Sequence, residues 1–156
     1  MKSIIYLVFF LVVIPAIAEE AQLGIILGST SGLSFKNELG NEWGKDRAID
    51  AALSYSIQGK YGLSFHADYL FNRVRRFSFN QLSPVYLYYG LGGRTLNIRN
   101  GTDEGASRLG VRGPVGLHYR TSGPDLEFFG EVVPIVDLTP SSEINLDVGL
   151  GVRVIF

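Results

Sequence analysis

The last fourteen residues alternate with a period of two. Phe156, Val154, Val152, Leu150, Val148, Leu146 and Ile144 are apolar, while Ile155, Arg153, Gly151, Gly149, Asp147, Asn145 and Glu143 between them are mostly polar or lack a side chain. A period of two places the first set on one face of a β-strand and the second on the other. Seven further segments repeat the pattern. They fall near 22–28, 32–37, 48–57, 61–71, 85–96, 108–120 and 125–138, with apolar faces that include Leu23, Leu33, Leu53, Phe65, Leu87, Leu117 and Phe128. Nineteen glycines, ten Phe and eight Tyr, without a long helical pattern, agree with an all-β chain. Eight alternating strands are enough to close an antiparallel up-and-down barrel, and eight is the smallest usual number for a barrel that crosses a membrane.

The start of the chain differs from the rest. Lys2 is followed by an almost unbroken apolar run from Ile4 to Ile14 and by Pro15-Ala16-Ile17-Ala18. A positive start, a short apolar stretch and a small-x-small site describe a secretory signal peptide, too short for a membrane helix. Residues 1–18 are therefore expected to be cleaved, leaving 19–156 as a single barrel domain. The chain contains no cysteine, so it carries neither a disulfide nor a lipidated cysteine. A net charge of −1 gives no reason to expect nucleic acid as a partner.

The two faces differ in chemistry as well as in polarity. The apolar face carries no charge in any of the eight segments. The other face collects Lys36, Asp50, Asp68, Arg94, Arg108, Arg112, Arg120, Asp125, Glu127, Glu131, Asp137, Glu143, Asp147 and Arg153. The chain uses ten arginines against four lysines, and arginine is favoured where charges are paired in confined places. Segment 108–120 is basic on this face and the two segments after it are mainly acidic. These neighbours predict an ion-pair network of Arg108, Arg112, Arg120, Glu127, Glu131, Asp147 and Arg153 filling the lumen. Eight strands leave room only for side chains, so a solute pore is not expected.

Periodicity alone does not separate inside from outside. A soluble, lipocalin-like barrel would turn the apolar face inward around a ligand. Three features favour the membrane reading: glycines such as Gly24, Gly62, Gly116 and Gly151 on the polar face, arginine in place of lysine there, and Phe35, Phe71, Tyr119 and Phe156 at one end of their strands, as an interfacial girdle requires. A periplasmic carrier of an apolar ligand stays as the alternative.

The segments TSGLSFK (30–36), LSFHADYL (63–70), PVYLYYGLGGR (84–94), LGVRGPVGLHY (109–119), LEFFGEVVPIVDLTP (126–140) and INLDVGLGVRVIF (144–156) together resemble small bacterial outer-membrane β-barrel proteins and, more distantly, the OmpX and OmpA barrels. This resemblance implies a place in the outer membrane, its lipids and the barrel assembly machinery as partners, a monomer, and both termini on the periplasmic side. Val152, Val154 and Phe156 resemble the C-terminal assembly signal, although the aromatic usual two residues before the end is a valine here. On that topology the surface turns are 28–31, 58–60, 97–107 and 139–142, and the longer connectors 38–47 and 72–83 face the periplasm. Arg73, Arg75 and Arg76, beside Phe77 and Phe79 in the second connector, are candidates for contact with anionic lipid headgroups.

Other chemistry finds little support. Ser64, His66 and Asp68 share the polar face of one strand and could suggest a lipid-modifying hydrolase using His66. Same-face neighbours on a strand lie about 7 Å apart, beyond hydrogen-bond reach, so no catalytic residue is expected and a non-enzymatic role is preferred. With the two histidines on different strands and no cysteine, the sequence shows no metal cluster and no cofactor site. Gly90-x-Gly92-Gly93 ends a strand without opening a helix and is no nucleotide fingerprint. Pro114 and Pro134 interrupt two strands, and each is expected at a β-bulge that shifts the facing beyond it.

Overall fold

The computed structural model describes residues 18–29, 31–39, 46–55, 61–78, 84–98 and 106–156; the expected signal peptide lies almost wholly outside them. The strands are β1 (Ala18–Gly28), β2 (Ser31–Leu39), β3 (Arg47–Tyr55), β4 (Tyr61–Phe77), β5 (Val85–Ile98), β6 (Ser107–Arg112), β7 (Val115–Arg120), β8 (Leu126–Thr139) and β9 (Glu143–Ile155). Each pairs antiparallel with its sequence neighbours, β6 and β7 sharing the place between β5 and β8. The β1–β9 pairing, from Gln22↔Ile155 to Gly28↔Gly149, closes the ring. With β6 and β7 as two halves of one strand, the fold is an eight-stranded antiparallel up-and-down barrel.

The faces are distributed as the alternation requires. Among the described residues, twenty-six large apolar or aromatic side chains are exposed, including Leu53, Phe65, Leu91, Leu117, Phe128 and Leu150, and they occur on every wall of the barrel. The polar set points inward: Lys36, Asp50, Asp68, Arg94, Arg108, Arg112, Glu127, Asp137 and Arg153 are all buried. This facing is the reverse of a lipocalin-like barrel, and the apolar set around Leu53, Phe65, Leu87 and Leu117 lines no pocket. The interior also holds two apolar clusters, Ile26–Ala52–Phe129 and Ala48–Leu70–Tyr88. Lumen glycines make room for their rings. A Cβ on Gly151 would stand 2.3 Å from the Phe129 ring, and one on Gly116 would stand 2.5 Å from the end of Tyr88.

The prolines correct the sequence reading. Neither produces a bulge. Pairing of β8 with β9 runs without a shift from Leu126↔Val154 to Asp137↔Glu143, straight through Pro134. Val133 and Ile135 point inward and Val136 outward, so facing persists beyond the proline. Pro114 separates β6 from β7, yet Arg112↔Ile135 and Val115↔Val132 keep one register across the gap. The reason is where the missing donors fall. Gly90 N–H donates to Pro114 O at 2.9 Å and Gly113 N–H to Pro134 O at 3.0 Å. Each proline thus forfeits only the return bond of a pair whose other member is a glycine.

A second correction concerns β4. The connector expected to begin at residue 72 is still strand, which runs to Phe77. The irregularity sits between Phe71↔Tyr89 and Arg75↔Leu87, where β4 carries extra residues and Arg73 adopts a left-handed φ of 60°. This rim bulge turns Asn72 inward, where its Nδ2 donates to Glu38 at 2.8 Å, and leaves Val74, Arg75 and Arg76 exposed.

Candidate functional site: the charged lumen

Each inward-facing charge is placed by strand alternation, and barrel closure then decides which charges meet. Glu127 on β8, fully buried, is the centre of the half nearest the chain termini. Lys36 Nζ from β2 donates to both its oxygens at 2.8 and 3.0 Å, and Arg153 Nη1 from β9 donates at 3.2 Å. Arg120 Nε donates to it at 3.1 Å, and His118 Nδ1 lies 3.1 Å from Oε2. Arg120 also pairs with Glu20 at 2.8 Å and with Glu38. Arg153 extends the network to Asp50 and to Ser34 at 2.9 Å, and its guanidinium lies 3.8 Å above the Phe129 ring.

In the half toward the β8–β9 turn, Asp137 takes the equivalent place. Arg94 from β5 donates to it through Nε and Nη2 at 3.0–3.2 Å, and Arg108 Nη1 at 3.2 Å. Asn145 adds a bond at 2.8 Å. Arg94 also reaches Asp147 at 3.0 Å, and Arg108 reaches Glu143. Between the halves, Arg112 spans Asp68 at 3.0 Å and Glu131 at 3.2 Å, and Tyr88 Oη donates to Glu131 at 2.9 Å.

Of the residues the sequence selected, Arg112 meets Glu131 and Arg120 meets Glu127, pairs that alternation on adjacent strands already suggests. Arg108 and Asp147 do not meet: Arg108 turns to Asp137 and Glu143, and Asp147 is held by Arg94. Lys36, Glu38, Asp50, Arg94, Asp137, Tyr88 and His118 belong to the same network. Most of these lay on the polar face already. What the sequence lacked was the cross-lumen distance, since Lys36 and Glu127 are 91 residues apart and on strands that are not neighbours.

Ser64, His66 and Asp68 all point inward and are buried, but none is hydrogen-bonded to another. His66 instead faces Asp50 of β3, with Nε2 3.9 Å from Oδ1. The absence of a metal-type cluster expected from the sequence does not hold, because Asp50 is paired across the strands with Asp68 and one donor atom each of Asp50, His66 and Asp68 lies within 4.8 Å of the other two.

A small opening lined by Ile26, His66, Arg112, Glu131, Val133 and Asp147 has a volume of about 10 Å³, room for about one water, and is partly open to solvent. Small-molecule sites usually need roughly 300–1,000 Å³. The lumen is too full for a ligand of that size.

On the outside, Arg47 lies 4.1 Å over the Phe71 ring, which stacks on Tyr89 with centroids 5.0 Å apart and meets Tyr69 edge-on. Arg75 stands 5.4 Å over Phe77. Arg73 is tied to Glu38 at 3.3 Å and is only partly available. Val154 and Phe156 are exposed at the end of the closing strand, and Val152 is half-buried.

No protein-family model and no curated protein sequence matches the chain. Among solved structures, it is similar to the N-terminal β-barrel domain of Pseudomonas aeruginosa OprF, with a TM-score of 0.59, 16% identity, and 88% of this chain and 96% of that one covered. It is also similar to Neisserial surface protein A, with a TM-score of 0.49, 14% identity and coverages of 86% and 92%. At 16% identity the likeness to the OprF barrel is one of architecture. Together with the closed ring, the apolar exterior and the charged interior, it gives this chain the fold of the small eight-stranded outer-membrane β-barrels.

Proposed function

We propose that the protein is a monomeric resident of the bacterial outer membrane with a structural or membrane-homeostatic role, neither a solute pore nor an enzyme. The observation that carries this reading is the unbroken apolar exterior. The twenty-six exposed large apolar side chains among the described residues far exceed the patch a soluble monomer tolerates, and a lipid bilayer satisfies all of them at once. The interior argues against transport. Its charges are engaged with one another, and the opening beside His66 has room for about one water.

In this reading the lipids of the membrane are the principal partner. Arg75 and Arg76, with Arg73 behind them, stand at the rim with aromatic rings and meet anionic headgroups. Val152, Val154 and Phe156 on the outward face at the end of the last strand are read by the assembly machinery, and residues 1–18 direct export. No side-chain arrangement in the lumen places Ser64 within bonding reach of His66, which speaks against the hydrolase alternative.

The test is the mobility of unboiled and boiled protein from fractionated envelopes. The expected result is recovery with the outer membrane and a faster-migrating unboiled band. Recovery in the soluble periplasmic fraction without a mobility shift would overturn the reading. Ion conductance across planar bilayers should stay at background; well-resolved channels would exclude the plugged lumen.

A further inference from the structure

We propose that Asp50, His66 and Asp68 form a binding site for one divalent transition-metal ion inside the barrel, with Zn²⁺ the best match to the donors. The inference does not depend on the membrane role. Three observations carry it.

The first is geometry. The antiparallel register of β3 and β4 sets Asp50 opposite Asp68 and Ala52 opposite His66, so three inward side chains of two adjacent strands converge. One donor atom from each lies within 4.8 Å of the others. The 3.9 Å between His66 Nε2 and Asp50 Oδ1 is too long for a hydrogen bond. Two ligands on one tetrahedral ion, with bonds of about 2.0–2.1 Å, are separated by roughly 3.4 Å. A shift of about half an ångström brings this pair to chelating separation, and the Asp68 donor has at most about 1.4 Å to close.

The second is an unsatisfied carboxylate oxygen within the set. His66 and Asp68 are each 4% exposed and Asp50 5%. Arginines engage only one oxygen of each carboxylate: Arg153 holds Asp50 Oδ2, and Arg112 Nε lies 3.0 Å from Asp68 Oδ2. Asp68 Oδ1 is buried and accepts no hydrogen bond. A buried carboxylate oxygen left without a partner is costly, and a cation relieves that cost.

The third is charge and access. Among the described residues, the ion-paired groups of the lumen and its rims comprise nine carboxylates, Glu20, Glu38, Asp50, Asp68, Glu127, Glu131, Asp137, Glu143 and Asp147. They face seven cations, Lys36, Arg73, Arg94, Arg108, Arg112, Arg120 and Arg153. The imbalance equals the charge of one divalent ion. His66 also lines the partly open cavity beside Glu131 and Ser29, which offers an entry path and room for water as a further ligand. One imidazole and two carboxylates suit Zn²⁺, and Mn²⁺ should bind more weakly to the same donors.

The experiment uses untagged protein purified from whichever envelope fraction holds it, stripped with chelator and dialysed against buffered Zn²⁺, with bound metal measured by elemental analysis. The expected result is one ion per chain. Affinity should fall by about 100-fold or more in His66→Gln and in Asp68→Asn, and stay unchanged in His118→Gln, which removes the only other histidine. Heat-modifiable migration verifies that each variant is folded. Should Asp68→Asn fail to fold, His66→Gln alone decides, because no ion pair of an arginine depends on that ring. Wild-type protein that binds no ion, or an ion retained at full affinity in folded His66→Gln, would overturn the proposal.

Discussion

Glu127 and Asp137 lie ten residues apart on the same face of β8 and do the same local work under different conditions. Glu127 is sealed in the half near the termini, where the buried Lys36 and Arg153 and the partly exposed Arg120 converge on it. Asp137 is equally buried, but its two arginines each hold a second carboxylate, Asp147 or Glu143, that is partly solvated. The first hub gathers three cations, of which Lys36 has besides it only a 3.8 Å contact to the buried Glu38. The second gathers two, each with a partly solvated carboxylate in reserve. Burying charge is expensive, and breaking a buried pair costs most when the survivor has no substitute. The two halves of one lumen should therefore respond very differently to the same chemical change.

The largest effect is expected from Glu127→Gln. It keeps the shape and removes the charge that Lys36, Arg120 and Arg153 share. We expect a loss of about 3–5 kcal/mol, read as a fall in the urea midpoint of the folded, fast-migrating band. Lys36→Met in the same chain should restore part of it by removing one stranded cation. A double variant no more stable than Glu127→Gln alone would show that Lys36 is not dependent on this carboxylate.

The outer wall supplies the next test and contrasts with both hubs. Leu150 is 67% exposed midway along β9. In water an exposed Leu→Arg change is nearly neutral, whereas at the middle of a bilayer it costs roughly 2–4 kcal/mol. Leu150→Arg should lower the yield and stability of protein refolded into phospholipid vesicles by that amount. Unchanged stability there would mean that this wall does not face lipid.

Asp137→Asn should cost less than Glu127→Gln, about 1–2 kcal/mol, because Arg94 retains Asp147 and Arg108 retains Glu143. Equal losses at the two positions would erase the distinction between the halves and make burial alone the deciding variable.

Much of this was legible along single strands. Alternation placed Leu23, Leu53, Phe65 and Leu117 on one face and Lys36, Asp50, Arg94 and Asp137 on the other, because facing depends only on neighbours two residues away. The prolines were misread for a local reason. Pro134 forbids one hydrogen bond, but the sequence does not show that Gly113 stands opposite it on another strand and absorbs that loss. The site was less legible still. Arg112–Glu131 and Arg120–Glu127 join adjacent strands and follow from register, whereas Lys36–Glu127 and Arg153–Asp50 cross the lumen and exist only once the ring has closed. The Asp50–His66–Asp68 trio falls between these cases. Its three residues were all visible on the polar face, but a one-residue slip of β3 against β4 would have dispersed them.

Glu143 gives the smallest expected effect and the sharpest limit on the comparison. It pairs with Arg108, yet its side chain is 52% exposed at the start of β9. Water and salt screen such a pair, and exposed pairs contribute about 0–1 kcal/mol. Glu143→Gln should therefore leave the urea midpoint almost unchanged, and raising the salt concentration should remove what small difference there is. Combined with Asp137→Asn, however, it takes both named carboxylates from Arg108, and the loss should exceed the sum of the two single changes. That excess is the energy by which the solvated rim substitutes for the buried anion. Strict additivity in the double variant would mean that Glu143 provides no such reserve, and that the tolerance of this half must come from Asp147 alone.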